Sequence, residues 1–188
     1  MSTFKIIAVT NRHLCNGSLA EQIKRIAAMD KPDKILLREK DLSEEEYKEL
    51  AKEVLHLCQV NHMDCILHTY YQVALELGCK RIHLPLAVLQ KEWKQLQQFH
   101  EIGVSIHSLD EAKEAVTLGA TYLTAGHIFP TDCKKGVPPR GLDFLKEISS
   151  KIELPVYGIG GIKKGNIAMI EKVGASGACI MSEFMILC

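Results

Sequence analysis

The chain of 188 residues carries 23 basic and 23 acidic side chains, and 47% of its residues are hydrophobic. This composition is typical of a globular protein, so we expect one soluble domain over residues 1–188. Balanced charge without a long basic cluster argues against nucleic acid as a partner. The sequence has no run of eighteen apolar residues and no signal-peptide pattern, which predicts neither a membrane span nor secretion.

Cysteine usage predicts a reducing compartment. The seven cysteines are an odd number without a Cys-x-x-Cys pair, and several fall inside predicted strands or helices. A free cysteine in such a place behaves as a small hydrophobic residue. We therefore expect a cytoplasmic protein without a disulfide framework.

The first half of the chain alternates apolar strands with amphipathic helices. Ser18 with Glu21, and Ser43 with Glu46, have the spacing of capping boxes and predict the starts of the first two helices. The apolar runs predict strands at 4–9, 34–37, 65–68 and 81–84. The helical patterns end near residues 29 and 58 and then cover 70–77 and 88–100.

The second half repeats the same order. Ser108 and Glu111 form a third capping-box pattern. Three helices are each expected to end at a glycine shortly before a strand, which is a repeated βα signature. Strands are predicted at 103–107, 122–125, 155–159 and 178–181, and helices at 108–118, 141–151 and 166–173.

Eight strands with about seven helices predict a (β/α)₈ TIM barrel, an α/β fold. A doubly wound open sheet is the alternative. Too few residues follow Met181 for a full eighth helix, so this helix is expected to be truncated or missing. The apolar residues 184–187 are then expected to lie over the first helix or against a second subunit, and we expect a homodimer.

The segment TAGHIFPTDCKKG, at the end of the sixth strand, is the main candidate site. In parallel barrels the residues just past the strands form the active-site mouth. His127 is therefore placed where an acid/base is useful, with Lys134 available to attract an anion. Arg38 and Lys40 end the second strand and share a face, which favours a polyanionic ligand.

A phosphate site is predicted where the last two strands end. Gly160 and Gly161 follow the seventh strand, where the absence of side chains lets an anion approach the backbone. Met181 and Ser182 end the eighth strand, and these two loops often hold phosphate in such barrels.

Four histidines are predicted near the ends of strands three to six, which raises the question of a metal. They are His68, His83, His107 and His127. Their spacing matches none of the tight ligand patterns, and no carboxylate ends strands three, four or five. We therefore predict no metal site.

Six segments in order along nearly the whole chain resemble the thiamine phosphate synthase/thiazole tautomerase superfamily. They are AVTNR, LLREK, IGVSIHSLDEA, GHIFPTDCKKG, PVYGIGGI and GACIMS. The resemblance implies a TIM barrel that binds a small phosphorylated thiazole.

The branch is judged from three positions. The synthase pattern has GPIFPT-x-T-K after strand six, and acidic residues for Mg²⁺ and pyrophosphate in Asn-Asp-Arg after strand three and Gly-Gln-x-Asp after strand four. Here the last two positions read His68-Thr69-Tyr70 and Pro85-Leu86-Ala87-Val88. A histidine before Ile/Val-Phe, followed by TDCKKG, resembles the tautomerase branch.

The tautomerase resemblance implies an isomerase of thiamine biosynthesis that aromatises a thiazole phosphate carboxylate by proton transfer. His127 matches its assigned acid/base, a role typically worth about 10²–10⁴-fold. The phosphate is expected at Gly160, Gly161 and Ser182, without a metal or redox cofactor. The carboxylate is expected near Thr131 and the backbone of Asp132 and Cys133 in the strand-six loop.

Two alternatives stay open. The first is the synthase, which couples a pyrimidine pyrophosphate with thiazole phosphate and normally uses Mg²⁺. Arg38, Lys40 and Lys134 match positions of its machinery. The second is a non-catalytic regulatory barrel that binds thiazole phosphate.

Overall fold

The computed structural model describes residues 4–134 and 136–186, except for the side chain of Cys133. The prediction for Leu187 in the apolar tail therefore lies outside the described residues. Eight parallel strands follow one another around a closed barrel. They are β1 (Lys5–Val9), β2 (Lys34–Leu37), β3 (Asp64–His68), β4 (Arg81–Pro85), β5 (Glu101–Ile106), β6 (Tyr122–Gly126), β7 (Val156–Ile159) and β8 (Gly177–Ile180).

The helices cover the outside of the barrel. They are α1 (Leu19–Met29), α2 (Glu44–Val60), α3 (Tyr71–Glu76), α4 (Leu86–Leu96), α5 (Leu109–Thr117), α6 (Gly141–Lys151), α7 (Ile167–Lys172) and α8 (Ser182–Met185). Strand β8 pairs with β1, with Lys5 opposite Gly177. This pairing confirms the TIM barrel and excludes an open sheet. The final helix has four residues, so the truncated eighth helix is also confirmed.

Local capping explains where the first two long helices begin. The Ser18 hydroxyl accepts from the Glu21 N–H, and the Glu21 carboxylate accepts from the Ser18 N–H. Ser43 and Glu46 make the same pair. The box predicted at Ser108 forms only half, since the Glu111 carboxylate accepts from the His107 N–H instead.

Strand residues alternate between two cores. Residues that point outward pack against the helices. The interior column of the barrel consists of Ile7, Val9, Leu36, Ile66, Tyr122, Tyr157 and Cys179. A Cβ at Gly103 would lie 2.0 Å from the Tyr122 ring and 2.4 Å from His83 Nδ1. This glycine therefore makes room for two rings inside the barrel.

The fourth strand passes into its helix without a loop. Helix α4 begins at Leu86, two residues before the predicted start, with Pro85 as its extended N-cap residue (φ −62°, ψ 146°). The consequence is that Leu86, and not a polar loop, lies at this edge of the mouth.

The C-terminal segment packs on its own chain. Phe184 and Met185 are buried, and the side-chain amide of Gln22 on α1 donates to the Phe184 carbonyl over 2.6 Å. The segment thus takes the first of its two expected positions, over α1. Since this cover is intramolecular, the homodimer stays a prediction. Among the described residues, no helix combines the length and the apolar character needed to cross a membrane.

Candidate active site at the carboxyl end of the barrel

A cavity of about 1130 Å³ opens at the carboxyl ends of the strands. Every predicted site residue with a described side chain lines it, and so do the two glycines. These residues are Arg38, Lys40, His127, Thr131, Asp132, Lys134, Gly160, Gly161, Met181 and Ser182. The structure therefore brings these residues together at one cavity, and their roles in binding and catalysis stay predictions.

A second opening, of about 1390 Å³, lies at the amino ends of the strands. Its charged side chains are largely paired with one another. Arg81 binds Asp64 at 2.8 Å and Glu101 at 3.5 Å, and Lys34 also binds Glu101. Because sites in this fold lie at the carboxyl face, and because these charges already neutralise one another, we place the site at the other end.

Two basic side chains that follow β2 line the mouth of the barrel. Arg38 and Lys40 line the cavity, whereas Glu39 between them is buried and accepts two hydrogen bonds from the Arg12 N–H, at 3.1 and 3.2 Å. This confirms the predicted alternation. Burial, followed by the nearby charges of Arg38 and Lys134, lowers the pKa of Lys40. Cationic side chains therefore lie close together at the mouth, and a bound anion would offset the repulsion between them.

The loop after β6 brings the third cation. Lys134 Nζ lies 3.2 Å from His107 Nε2 on the rim. Burial lowers the pKa of His107, and the charge of Lys134 lowers it further. The neutral imidazole accepts from the ammonium group, so His107 holds Lys134 over the mouth. This partner was not foreseen, because the two residues lie on different strands.

His127 is buried directly after β6, and its ring is used by the protein itself. Its Nε2 lies 3.1 Å from the Val137 carbonyl oxygen, to which it donates. Its own carbonyl accepts from the Arg140 N–H at 2.8 Å. His127 thus holds the segment between Lys134 and α6 at two points, Val137 and Arg140.

The two glycines after β7 leave room for the β6 loop. Gly160 and Gly161 have φ of +96° and +67°, which favour glycine. A Cβ at Gly160 would lie 2.3 Å from His127 Cβ, and one at Gly161 would lie 2.5 Å from the Pro130 carbonyl oxygen. The missing side chains are therefore needed for packing between the loops, whereas the sequence had suggested either a tight turn or the approach of an anion.

The four histidines do not converge on one point, although the rings of His68 and His83 stack with their centroids 5.7 Å apart. His83 is the third residue of β4, inside the barrel and not at the strand end where it was predicted. Its Nδ1 contacts the Tyr122 hydroxyl at 3.0 Å, and its Nε2 contacts the Ser105 hydroxyl at 2.8 Å. Ser105 and Thr124 also line the cavity and were missed. Their inward alternation along β5 and β6 was the available signal.

The residues at the mouth do not fit Mg²⁺. Strand β3 ends in His68 followed by Thr69, and β4 runs into Leu86, none of which offers a carboxylate. Of the nearby acidic groups, Glu39 binds Arg12 and Glu111 binds the His107 backbone, and Asp132 on the β6 loop adds a single carboxylate to the mouth. Within residues 4–134 and 136–186, apart from Cys133, no group of three metal-ligating side chains occurs. A hard cation that prefers oxygen ligands has no such set here.

Comparisons with known proteins agree over nearly the full chain. The family model described as thiamine monophosphate synthase matches residues 6–184. The chain is 32% identical to the thiamine-phosphate synthase of Syntrophomonas wolfei, covering 98% of this chain and 90% of the relative. It is 33% identical to the putative thiamine-phosphate synthase 2 of Aquifex aeolicus, covering 96% and 97%. A solved structure titled thiamine phosphate pyrophosphorylase, from Pyrococcus furiosus, superposes with a TM-score of 0.83 at 29% identity, covering 98% and 89%.

These relatives correct one prediction. The assignment to the tautomerase branch, and with it the isomerase activity, is wrong, because the similar full-length proteins are named as synthases. The assignment rested on the histidine before Ile128-Phe129, on the TDCKKG segment and on the missing acidic residues after strands three and four, and it gave His127 the role of acid/base. In the structure the Nε2 of this histidine is already bonded to the Val137 carbonyl.

Proposed function

Since the chain belongs to the thiamine monophosphate synthase family, we propose that it is a transferase that joins a pyrimidine pyrophosphate to a thiazole phosphate, with release of pyrophosphate. The observation that carries this proposal is the similarity to proteins named as synthases over almost the whole chain. The thiazole nitrogen would attack the methylene carbon of the pyrimidine, and the carbon–oxygen bond would break with its electron pair leaving on pyrophosphate.

The cationic mouth supports this chemistry. A departing pyrophosphate gains negative charge in the transition state, and fixed positive groups aimed at it lower the barrier. Arg38 and Lys40 from β2 and Lys134 from the β6 loop supply that charge. Because the carboxylates needed for Mg²⁺ are absent from the ends of β3 and β4, we propose that these side chains offset the charge directly.

The other side of the cavity suits the thiazole phosphate. Gly160 and Gly161 form a turn beside Ser182 at the start of α8, and Met181 adds an apolar surface. We assign the substrate phosphate to this turn, and Thr131 and Asp132 to the ring between the two phosphate sites. The two anions are then separated across the mouth, which orients the nitrogen toward the methylene carbon.

The test is a direct assay of the purified chain with both substrates, in EDTA and in millimolar Mg²⁺, following thiamine phosphate and released pyrophosphate. Formation of both products supports the transferase, and Lys134→Met should lower kcat/KM by about tenfold or more. Lys172→Met, on the outer face of α7, is the matched control. Binding of thiazole phosphate without turnover in either buffer would instead support the non-catalytic barrel.

We also keep two further proposals. A cytoplasmic location is supported by the five cysteines with described side chains, all of which are free: Cys15, Cys58, Cys65, Cys79 and Cys179. A homodimer is supported by exposed apolar residues on the surface, among them Ile186, which is 55% exposed beside the buried Met185. Sedimentation at high micromolar concentration tests it, and a monomer there would refute it.

A further inference from the structure

His68 is a buried histidine with one nitrogen open to the cavity. It is 5% exposed and lines the mouth. Its Nδ1 lies 2.7 Å from the Thr69 hydroxyl. Across the described part of the chain, its Nε2 has no hydrogen-bond partner, and it is not among the side-chain atoms sealed inside the protein. Because buried polar atoms normally have hydrogen-bond partners, an unpartnered nitrogen that faces a cavity indicates a position for a ligand.

The strand register sets His68 beside the cations. Leu37 on β2 pairs with Leu67 on β3, so Arg38 and His68 follow as neighbours across the two strands. Both residues line the cavity, whereas Leu37 and Leu67 belong to the outer core. An anion held by Arg38 and Lys40 would therefore lie next to the imidazole.

Thr69 adopts a backbone conformation that is costly for its residue type. Its φ is +66°, in the left-handed region that β-branched residues rarely enter. The conformation is held by its N–H, which donates to the His83 carbonyl at 3.0 Å, and by its carbonyl, which accepts from the Tyr71 N–H at 2.8 Å. It places the hydroxyl on His68 Nδ1. Such strain is characteristic of functional positions.

An anionic ligand needs a hydrogen-bond donor, which requires one of the two tautomers of the His68 ring. If the Thr69 hydroxyl donates to Nδ1, then the proton of the neutral ring is on Nε2, which becomes a donor toward the cavity. Burial lowers the pKa of His68 well below its usual value, and the neighbouring His83, Arg38 and Lys40 lower it further. The ring is thus a neutral donor when the mouth is empty.

We infer that His68, oriented by Thr69, donates from Nε2 to an oxygen of pyrophosphate and replaces, with Arg38 and Lys40, a carboxylate-bound metal, since the ends of β3 and β4 carry no carboxylate. The inference rests on the proposed function, in which pyrophosphate is the leaving group. It specifies that pyrophosphate binding at this end of the mouth needs no divalent cation.

Calorimetric titration with inorganic pyrophosphate in EDTA tests the inference without either organic substrate. The wild-type chain should bind, and added Mg²⁺ should not strengthen binding at the same free pyrophosphate concentration. His68→Phe should weaken binding by about tenfold or more, because a donor to a charged group is lost. His68→Gln should retain most of the affinity, since its amide can donate near Nε2. His100→Phe, exposed at the opposite end of the barrel, is the matched control.

Thr69 supplies a second test that does not depend on the folding of a His68 variant. Thr69→Gly removes the hydroxyl but suits the positive φ, so it should weaken pyrophosphate binding by about threefold or more while leaving the melting temperature equal or higher. Thr69→Ser should restore the affinity. Unchanged affinity in both His68→Phe and Thr69→Gly would overturn the inference, and so would wild-type binding that requires Mg²⁺.

The two proposals can fail separately. A chain that binds pyrophosphate through His68 but forms no thiamine phosphate would refute the transferase and keep the anion site. A chain that forms thiamine phosphate only with Mg²⁺, and binds pyrophosphate only with Mg²⁺, would keep the transferase and refute the role of His68.

Discussion

The Nε2 of His127 donates to the carbonyl oxygen of Val137 over 3.1 Å, and this bond ties the start of the β6 loop to its end. The segment between them includes Lys134, which faces the cavity. Loss of the bond should therefore misplace a cation without changing any proton transfer.

We expect His127→Ala to lower kcat/KM for thiamine phosphate formation by about tenfold, and His127→Gln to recover much of it, because the glutamine amide can donate to the same carbonyl. The measurement is kcat/KM as a function of pH for both variants. The shape of the profile should match the wild type. A titrating limb that disappears in His127→Gln would show that the ring acts as an acid/base after all.

The second prediction concerns the closely spaced cationic side chains at the mouth of the barrel. Lys134→Met should weaken pyrophosphate binding by about tenfold and should raise the pKa of Lys40, because one of the charges that lowers it is gone. Calorimetry from 50 to about 300 mM salt should also show a shallower salt dependence in the variant. Lys172→Met should leave both the affinity and the slope unchanged, and an equal loss in this control would contradict a local effect.

Buried neutral histidines predict sensitivity to acid. Burial, together with the charges of Arg38 and Lys40, lowers the pKa of His83 to about 3. The unfolded chain takes up this proton near pH 6.5, whereas the folded chain does not until about pH 3. Stability from this group is therefore complete above pH 6.5 and is lost as the pH falls toward 3, by about 1.4 kcal/mol per pH unit.

Urea unfolding between pH 7 and about 4.5 measures this loss. His83→Gln should reduce the slope of the unfolding free energy against pH by the amount that corresponds to about one proton, although the variant is less stable at neutral pH. Its remaining slope includes His68 and His107, whose pKa values are also lowered. An unchanged slope in His83→Gln would mean that His83 is not the neutral buried group described.

The interior of the barrel gives the fourth prediction. Gly103→Ala would set a Cβ 2.0 Å from the Tyr122 ring, so we expect a loss of about 3 kcal/mol in unfolding free energy from overpacking. Replacing Tyr122 by Leu in the same chain should recover part of it. Gly165→Ala is the matched control, because no atom lies within 4 Å of the added Cβ there. Equal effects at both glycines would refute the steric explanation.

The sequence was sufficient for the fold because the information for each element is local. Capping boxes at Ser18 and Ser43 and the period of apolar residues mark helices and strands without reference to distant residues. Alternation along β2 was enough to place Arg38 and Lys40 on one face. The ordered motifs also identified the family, which the comparisons confirm.

The choice of branch failed for a physical reason. It was judged from a few residue types at the strand ends, and the similar proteins named as synthases overturn it. Residue types alone also do not show that the His127 ring contacts the Val137 carbonyl, ten residues further along a loop without periodic pattern. The alternation rule could have found Ser105 and Thr124, but it cannot tell a residue that faces the cavity from one deeper in the barrel, such as His83.

What the sequence alone determined is the set of elements, their closure into a barrel and the residues at its carboxyl end, since these follow from local periodicity and the order of the strands. What only the tertiary structure decided is which side chains touch. The strand register sets Arg38 beside His68, and Gly103 opens the space in which His83 meets Tyr122. Such contacts depend on distances between residues far apart in the chain, on which local pattern has no bearing.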